Sequence, residues 1–216
     1  RSIGAHGLSF QRQRQPDGAA QIEIRGMTLR DSAHLVLISV GRGDNRAFVP
    51  PQIGGAPLSV QQLGEMHPYT KYPESGTALY VAAGETPATI GISASTPPTD
   101  EITMAAVEVA GQRIQDQSWI EARPGKLFGR RTVLSAPVTT TGPATLIAFW
   151  WGDAGVRGIK TATPEDGFKK IDSLLEEGAL VQCAVAVKQV ERAGRYTVRW
   201  IATPRQSAQL WLIAVQ

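Results

Sequence analysis

The chain has 216 residues, of which 42% are hydrophobic, 19% charged and 6% aromatic, and its formal net charge is +3. This composition is typical of a globular protein with one large domain or two small ones, and it excludes collagen-like, disulfide-rich and highly charged disordered chains. Because no run of about 18 apolar residues occurs, we expect no transmembrane helix and no membrane insertion.

Apolar and polar residues alternate along most of the chain, and the alternation is interrupted by Gly, Pro and Asp. Such alternation predicts β-strands with one face buried. The pattern predicts strands at 20–26, 34–40, 58–63, 77–83, 88–94, 101–109, 131–136, 144–151, 168–175, 180–190, 195–202 and 207–215. Many short strands at this spacing are typical of a β-sandwich or a barrel.

The two halves of the chain resemble each other in the order of these strands. The segment 35–41 aligns with 146–152 when position numbers differ by 111, and Ile22 then aligns with Val133. A nearly constant shift indicates duplication of a whole domain. The sequence therefore predicts an all-β chain of two tandem, similar β-sandwich domains, jelly-roll-like or Ig-like, from an internal duplication and packed together. Their predicted bounds are 1–112 and 118–216.

One segment is ambiguous between helix and strand. Its apolar residues have helical spacing: Phe168, Ile171, Leu174 and Leu175. The corresponding stretch of the first half, 53–58, contains two glycines and a proline, which disfavour a helix. If the halves share a fold, the segment 168–175 forms a strand, and a strand is our prediction.

The last strand of each half is apolar on nearly consecutive positions, at 104–109 and 210–215. A strand of this kind needs cover on both faces, so we expect an interface with the other domain or with another chain. Trp150, Trp151 and Trp211 are the candidate interface residues, because aromatic side chains are favoured at such contacts. The expected partners are further copies of the chain or other protein subunits.

Two short signals have structural interpretations. Cys183, the single cysteine, lies in an apolar strand, and we expect it to be buried and unreactive. The tripeptide Arg42-Gly43-Asp44 matches a cell-adhesion motif but is short enough to occur by chance, so we interpret it as a turn.

The segment 64–76 is the main candidate for a ligand site. It places His67, Tyr69, Tyr72 and Glu74 in a proline-rich stretch without a clear counterpart in the second half. Flat aromatic rings can stack on a sugar while nearby acceptors bind its hydroxyl groups, and long ordered loops often carry function. A carbohydrate-binding module with a glycan ligand is therefore one alternative function. The structural alternative is a loop whose tyrosines cover the end of the sandwich.

Motifs for catalysis, metal binding and cofactor binding are missing from the sequence. The chain has no phosphate-binding loop, no G-x-S-x-G, no H-E-x-x-H and no cysteine pair, and its three histidines are far apart. We assign no catalytic residue, no metal ligand and no cofactor. A basic group formed by Arg123, Lys126, Arg130 and Arg131 lacks interleaved aromatic residues, so we expect no specific nucleic-acid partner. A glycoside hydrolase remains an alternative, because its carboxylate pair leaves no short motif.

The sequence thus favours a non-catalytic structural, assembly or binding protein built from two β-sandwich modules. An extracellular, cell-surface or virion location is favoured over the cytoplasm. The chain begins at Arg1, as a processed chain or a fragment would.

Overall fold

The computed structural model describes residues 3–12, 20–30, 33–127, 131–153, 158–175 and 179–216. Arg130 of the basic group lies outside these ranges. Two compact units divide the chain, unit 1 at Arg1–Gln112 and unit 2 at Arg113–Gln216. Apart from a short 3-10 helix at Asn45–Ala47, the regular elements of the described residues are β-strands, and the strands pair in antiparallel sheets. The predicted all-β, sandwich-like class is confirmed.

Unit 1 is built from two antiparallel sheets. Its strands are β1 (Ile3–Gln11), β2 (Ala20–Leu29), β3 (His34–Arg42), β4 (Gln52–Gly54), β5 (Val60–Pro68), β6 (Gly76–Gly84), β7 (Ala88–Thr96) and β8 (Ile102–Ala110). One sheet has the order β1-β8-β3-β6-β5, and the other has the order β2-β7-β4. Alternate residues of both sheets form a single core, which includes Val36, Ile38 and Val40 of β3 with Ile90 and Ile92 of β7.

Unit 2 contains one five-stranded sheet and two smaller ones. Its strands are β9 (Ile114–Ala122), β10 (Thr132–Leu134), β11 (Val138–Thr140), β12 (Ala144–Gly152), β13 (Thr161–Pro164), β14 (Lys169–Leu174), β15 (Cys183–Val190), β16 (Gly194–Tyr196), β17 (Arg199–Thr203) and β18 (Ala208–Val215). The sheet orders are β14-β15-β12-β18-β9, β10-β17-β13 and β11-β16. The core of unit 2 combines tryptophans with small residues, among them Trp150, Trp200, Ala148 and Ala186.

The central strands are buried along their whole length. All residues of β3, β12 and β18 are buried, and so is β8 from Ile102 to Val109. This agrees with the expectation that the last strand of each half is covered on both faces. The apolar runs 104–109 and 210–215 therefore lie in the best protected part of each sheet.

Several strand boundaries differ from the prediction. We expected one strand at 195–202, but this segment belongs to two strands. Strand β16 ends at Tyr196, and β17 begins at Arg199. The segment 168–175 is a strand, as predicted, with the bounds Lys169–Leu174. Strand β9 was not predicted. It begins in the stretch expected to connect the two domains, and it pairs with β18.

A shift of 111 does not bring the core-facing positions of β3 and β12 together. The core-facing residues are Val36, Ile38 and Val40 in β3, whereas they are Leu146, Ala148 and Trp150 in β12. Because side chains alternate between the two faces of a strand, a shift of 111 places core residues over outward-facing ones. A difference of 110 keeps the core faces together. Because both faces of these strands are apolar, the sequence does not distinguish a shift of 111 from one of 110.

Candidate functional site

The predicted ligand segment 64–76 consists of the end of one strand and a short closed loop. Strand β5 continues to Pro68, and its residue His67 pairs with Thr77 of β6. In the loop that follows, the Tyr69 N–H donates to the Ser75 carbonyl over 3.0 Å, and the Ser75 N–H donates to the Tyr72 carbonyl over 2.9 Å. These bonds make residues 69–75 a compact turn.

The four candidate side chains differ in exposure. Tyr69 is buried at 3% exposure, His67 and Tyr72 are half-buried, and Glu74 is exposed. Burial lowers the pKa of His67, an effect that Glu65 opposes. The Lys71 ammonium lies 5.4 Å from the centre of the Tyr72 ring. Because Tyr69 is buried, the three rings do not form one exposed platform, and a ligand role for this segment stays a prediction.

The backbone of this loop is held against the loop that follows β3. The Asn45 N–H donates to the Glu74 carbonyl over 2.6 Å, and the Asn45 side-chain amide donates to the Pro73 carbonyl. The Ser75 hydroxyl donates to the Gly43 carbonyl over 3.3 Å. These contacts favour the structural interpretation, in which the loop closes one end of unit 1.

A buried ion pair lies at the same end of unit 1. The Arg42 guanidinium donates from Nε to Oδ2 of Asp100 over 2.7 Å, and Nη2 lies 2.7 Å from the same oxygen. Arg42 also donates to the Ser95 carbonyl over 3.0 Å, and the other oxygen of Asp100 accepts the Asp44 N–H over 2.9 Å. The pair therefore joins the loops after β3 and before β8.

The electrostatics of this corner are set by burial and by two arginines. Burial raises the pKa of Asp100 above its ordinary value, although Arg42 acts in the opposite direction. A hydrogen bond from the Arg46 side chain lowers the pKa of Asp44. Asp44 also caps the 3-10 helix by accepting the Arg46 N–H. Arg42 is the last residue of β3 and is buried in its pair with Asp100, so the tripeptide 42–44 does not display its arginine.

Unit 1 has a pocket of about 340 Å³ between the start of β1 and the end of β2. Its described lining consists of Ile3, Gly4, Ala5, Gly26, Thr28, Arg30 and Glu108. The Glu108 side chain, on β8, is fully buried. Thr28 and Arg30 are exposed, so they stand at the rim. The lining thus combines an enclosed carboxylate with an exposed cationic side chain.

Glu108 connects the edges of the two sheets of unit 1. Its Oε1 accepts the Ala5 N–H over 3.3 Å, and its Oε2 accepts the Arg30 N–H over 3.1 Å. His34 Nδ1 lies 3.8 Å from Oε2. A Cβ at position 4 would overlap the carboxylate of Glu108, so Gly4 makes room for it.

Sequence reasoning missed this pocket, although one signal was present. On β8, Glu108 lies on the same face as Met104 and Ala106, which face the core of unit 1. A charged residue at a core-facing position is costly unless it has specific partners, and it therefore marks a site. The residues from β1 and β2 carry no signal of their own, because only folding brings them to β8.

The predicted interface residues are all buried. Trp150 and Trp151 are fully buried, and Trp211 is 2% exposed. Trp150 belongs to the core of unit 2, and its neighbour Trp151 points to the opposite face of β12, as expected for adjacent strand residues. A role in an interface stays a prediction for all three.

Cys183 is buried, as predicted, and burial raises the pKa of its thiol well above the ordinary value. Within the described residues, no group of three or more His, Cys, Asp or Glu side chains could hold a metal ion. The same part of the chain contains no helix with the length and apolar character needed to cross a membrane.

Comparison of the chain with protein-family models, curated proteins and solved structures gave no match.

Proposed function

We propose that this protein is a non-catalytic assembly module built from two jelly-roll-like β-sandwich domains, which arose by duplication and correspond to units 1 and 2. The assembly surface is the outer face of the sheet β10-β17-β13, and the partner is a second copy of the chain. Strand order supports the first part of the proposal, and surface composition supports the second.

The sheet orders of the two units correspond strand by strand. Reading β9, β12, β14, β15 and β18 as the counterparts of β1, β3, β5, β6 and β8 makes the two five-stranded orders identical. The order β2-β7-β4 likewise corresponds to β10-β17-β13. In unit 2 the separate pair β11-β16 extends the two strands that correspond to β2 and β7. In a jelly roll the first strand lies beside the last, and β1-β8 and β9-β18 follow this rule.

The observation that carries the assembly proposal is a difference between the outer faces of the corresponding smaller sheets. In unit 1 a cross-strand row reads Glu23, Ser93 and Gln52. In unit 2 a row of the same kind reads Thr132, Ile201 and Thr163. Leu134 follows Thr132 by two residues on β10, so its side chain lies on the same face of the sheet as those of Thr132 and Ile201. Leu134 and Ile201 are 45% and 37% exposed.

An exposed aliphatic pair on a sheet face suits a symmetric contact. In a two-fold dimer each patch meets its own copy, so apolar side chains at the centre bury one another. Threonines around them tolerate partial burial because their hydroxyl groups retain hydrogen-bonding capacity. The buried tryptophans of unit 2 support the sheet from its inner side, since Trp200 belongs to β17.

Light scattering after gel filtration tests this proposal. We expect the wild-type protein to be a dimer, and we expect Ile201→Lys to be a monomer because it places two like charges across the two-fold axis. Ser93→Lys is the matched control at the centre of the corresponding row in unit 1, and it should leave the dimer intact. A wild-type protein that is monomeric at all concentrations would overturn the assembly proposal. Release of sugar from a glycan would overturn the non-catalytic one.

The two alternatives have less support in the geometry. A carbohydrate-binding module would need exposed rings at 64–76, where Tyr69 is buried. A glycoside hydrolase would need two carboxylates about 5–10 Å apart in a cleft. Among the described residues that line the pocket of unit 1, Glu108 is the one carboxylate.

A further inference from the structure

Three loops of unit 2 meet at one end of the sheet β10-β17-β13. Thr132, the first residue of β10, pairs with Ile201 of β17, and Thr161, the first residue of β13, pairs with Thr203, the last residue of β17. The Arg131 carbonyl continues this pairing by accepting the Ala202 N–H over 3.0 Å. The segments before β10, before β13 and after β17 therefore lie together.

Hydrogen bonds hold a further stretch of chain at the same end. The Arg205 guanidinium, just after β17, donates to the Pro124 carbonyl over 3.3 Å and to the Gly125 carbonyl over 2.9 Å. Arg131 donates to the Thr203 hydroxyl over 3.2 Å. We call the described residues of these segments the basic end of unit 2: 123–127, 131, 158–160 and 203–205.

Exposed cations dominate the charge of the basic end. Four of its side chains are exposed and cationic: Arg123, Lys126, Arg131 and Arg205. The carbonyl and hydroxyl groups that Arg131 and Arg205 bind are neutral, so these hydrogen bonds leave the positive charges in place. The neighbouring carboxylates along the chain, Glu121 and Asp153, are half-buried. The end therefore offers a positive surface to an anionic partner.

Two aliphatic side chains project into solvent beside these cations. Leu127 is 65% exposed and Ile159 is 69% exposed, which makes them the most exposed large hydrophobic residues of the described part of the chain. Next to Ile159, Lys160 is buried and its ammonium donates to the Asp153 carbonyl over 3.3 Å. That bond holds the base of the loop while Ile159 faces outward. A single exposed aliphatic residue is ordinary, but two beside a cation cluster make this end amphipathic.

The corresponding end of unit 1 has the opposite balance of charge. By strand order, the unit 2 loops 123–131, 153–160 and 204–207 match the unit 1 loops 12–19, 43–51 and 97–101. The unit 2 loops contain seven Lys or Arg residues and one Asp, whereas the unit 1 loops contain three Arg residues and four Asp or Glu residues. The strand order alone does not require a basic end, so the excess of cations in unit 2 points to an anionic partner.

We propose that the basic end of unit 2 binds the surface of a membrane that contains anionic phospholipids. The cations meet the phosphate and carboxylate groups of the lipid headgroups, and Leu127 and Ile159 enter the boundary between headgroups and acyl chains. A polyanion in solution would match the cations but would leave both aliphatic side chains in water. The protein lies on the bilayer in this mode, and no segment crosses it.

Sedimentation with lipid vesicles tests the proposal on the intact protein. We expect binding to mixed vesicles of phosphatidylcholine and phosphatidylserine, and little binding to vesicles of phosphatidylcholine alone. Added salt should weaken the binding, because it screens exposed charges. Absence of binding to the mixed vesicles would overturn the proposal, and so would equal binding to both kinds of vesicle.

A double substitution tests the aliphatic contact without changing any charge. Leu127→Ser with Ile159→Ser should weaken binding to the mixed vesicles by about tenfold or more, because two apolar side chains no longer leave water. Val49→Ser is the matched control, since Val49 is 55% exposed in a corresponding loop of unit 1, and it should bind as the wild type does. Unchanged vesicle binding by the double variant would show that the partner is a soluble polyanion and would overturn the lipid assignment.

A second pair of variants tests the cations. Arg123→Gln with Lys126→Gln should weaken vesicle binding by about tenfold or more, because each cation near an anionic bilayer strengthens binding about fivefold. Lys169→Gln with Arg195→Gln removes two exposed cations elsewhere in unit 2 and should have little effect. An equal loss in both pairs would mean that net charge alone attracts the protein and would overturn the site.

Light scattering separates this site from the proposed dimer contact. The variant with serine at positions 127 and 159 should have the same mass as the wild type in the absence of vesicles, because its substitutions lie outside the face that contains Leu134 and Ile201. A change of mass would assign Leu127 and Ile159 to contacts between copies of the chain and would overturn their role in lipid binding.

Discussion

In each unit a carboxylate links the edges of two sheets. The carboxylate lies on β8, the last strand, in unit 1, and on β9, the first strand, in unit 2. In unit 1 Glu108 of β8 accepts N–H groups from β1 and from the end of β2. In unit 2 Asp116 of β9 accepts the Thr139 N–H of β11 over 2.7 Å and the Gln117 N–H over 2.8 Å. Asp116 is half-buried at an edge strand, whereas Glu108 is enclosed.

This difference shows that one strand order admits two ways of closing the sandwich. With the carboxylate on the edge strand, unit 2 has Ala214 in its core and fills the interior with large aromatic and small residues. With the carboxylate on β8, unit 1 retains a pocket. We expect packing to supply most of the stability of unit 2, and hydrogen bonds to buried charges to supply part of that of unit 1. Substitutions in each unit separate these two contributions.

The largest expected effect is a cavity in unit 2. Trp200→Ala should lower the free energy of unfolding by about 4 kcal/mol, because a fully buried indole is lost and the core cannot refill its volume. Trp200→Phe should cost much less, since the indole N–H finds no acceptor among the described residues. Urea unfolding followed by circular dichroism measures both. Similar losses for the two variants would show that volume does not dominate at this position.

The next effect concerns the ion pair of unit 1. Arg42→Ala leaves the Asp100 carboxylate buried without its cation and should cost about 3 kcal/mol. Arg46→Ala, which removes the exposed pair with Asp44, should change stability little. Hydrogen exchange of the amides in β3 and β8 reports on this corner. Unchanged exchange in Arg42→Ala would contradict a structural role for the pair.

Exchanging each bridging carboxylate for an amide tests the comparison directly. Glu108→Gln should cost about 2 kcal/mol, because the amide nitrogen cannot accept the backbone N–H that the lost oxygen accepted. Asp116→Asn should cost about 1 kcal/mol, since water can reach the half-buried group. Parallel denaturant titrations measure the difference. An equal or reversed order would mean that enclosure of Glu108 adds nothing to its structural role.

Cys183 provides a small and local test in unit 2. Cys183→Ala removes a small buried group and should cost about 1 kcal/mol. In the native protein a thiol reagent should label Cys183 only as fast as the protein opens, because the thiol is buried and its pKa is raised. Rapid labelling under native conditions would show that β15 opens locally.

The smallest effect is the pH dependence that Asp100 contributes. Its pKa is raised above the ordinary value of 3.8, so the folded protein binds this proton more readily than the unfolded chain does. The contribution of the group to stability is then present below the ordinary value and is lost as the pH rises through the raised value. We expect the stability of the wild type relative to Asp100→Asn to fall as the pH increases above 3.8. A relative stability that rises with pH would show that Arg42 outweighs the burial of Asp100.

The alternation of residues predicted most of the long strands but few of the short ones. The long apolar strands were found because their patterns are strong, as at His34–Arg42 and Ala208–Val215. Strand β1 was missed because its glycines and His6 obscure the alternation. The strands β4, β11 and β13 have three or four residues each. So short a segment contains too few alternations to distinguish a strand from a loop.

The candidate sites were harder to predict from the sequence than the strands, because they depend on which residues the fold brings together. The segment 64–76 was identified by its composition, but composition does not indicate that Tyr69 turns inward. The pocket of unit 1 joins residues about a hundred positions apart, such as Ala5 and Glu108. A single sequence records no contact of this kind, because the distance between partners is set by strand pairing and not by local preference.

The five tryptophans of the chain, at positions 119, 150, 151, 200 and 211, all belong to unit 2. Four of them are at most 2% exposed. The intrinsic indole fluorescence is therefore a natural optical label for one half of the molecule, and an aqueous quencher reaches most of it only when that half opens. Unit 1, with tyrosine as its largest aromatic residue, is silent in that signal, so the melting of unit 2 can be recorded in the intact protein without an added dye.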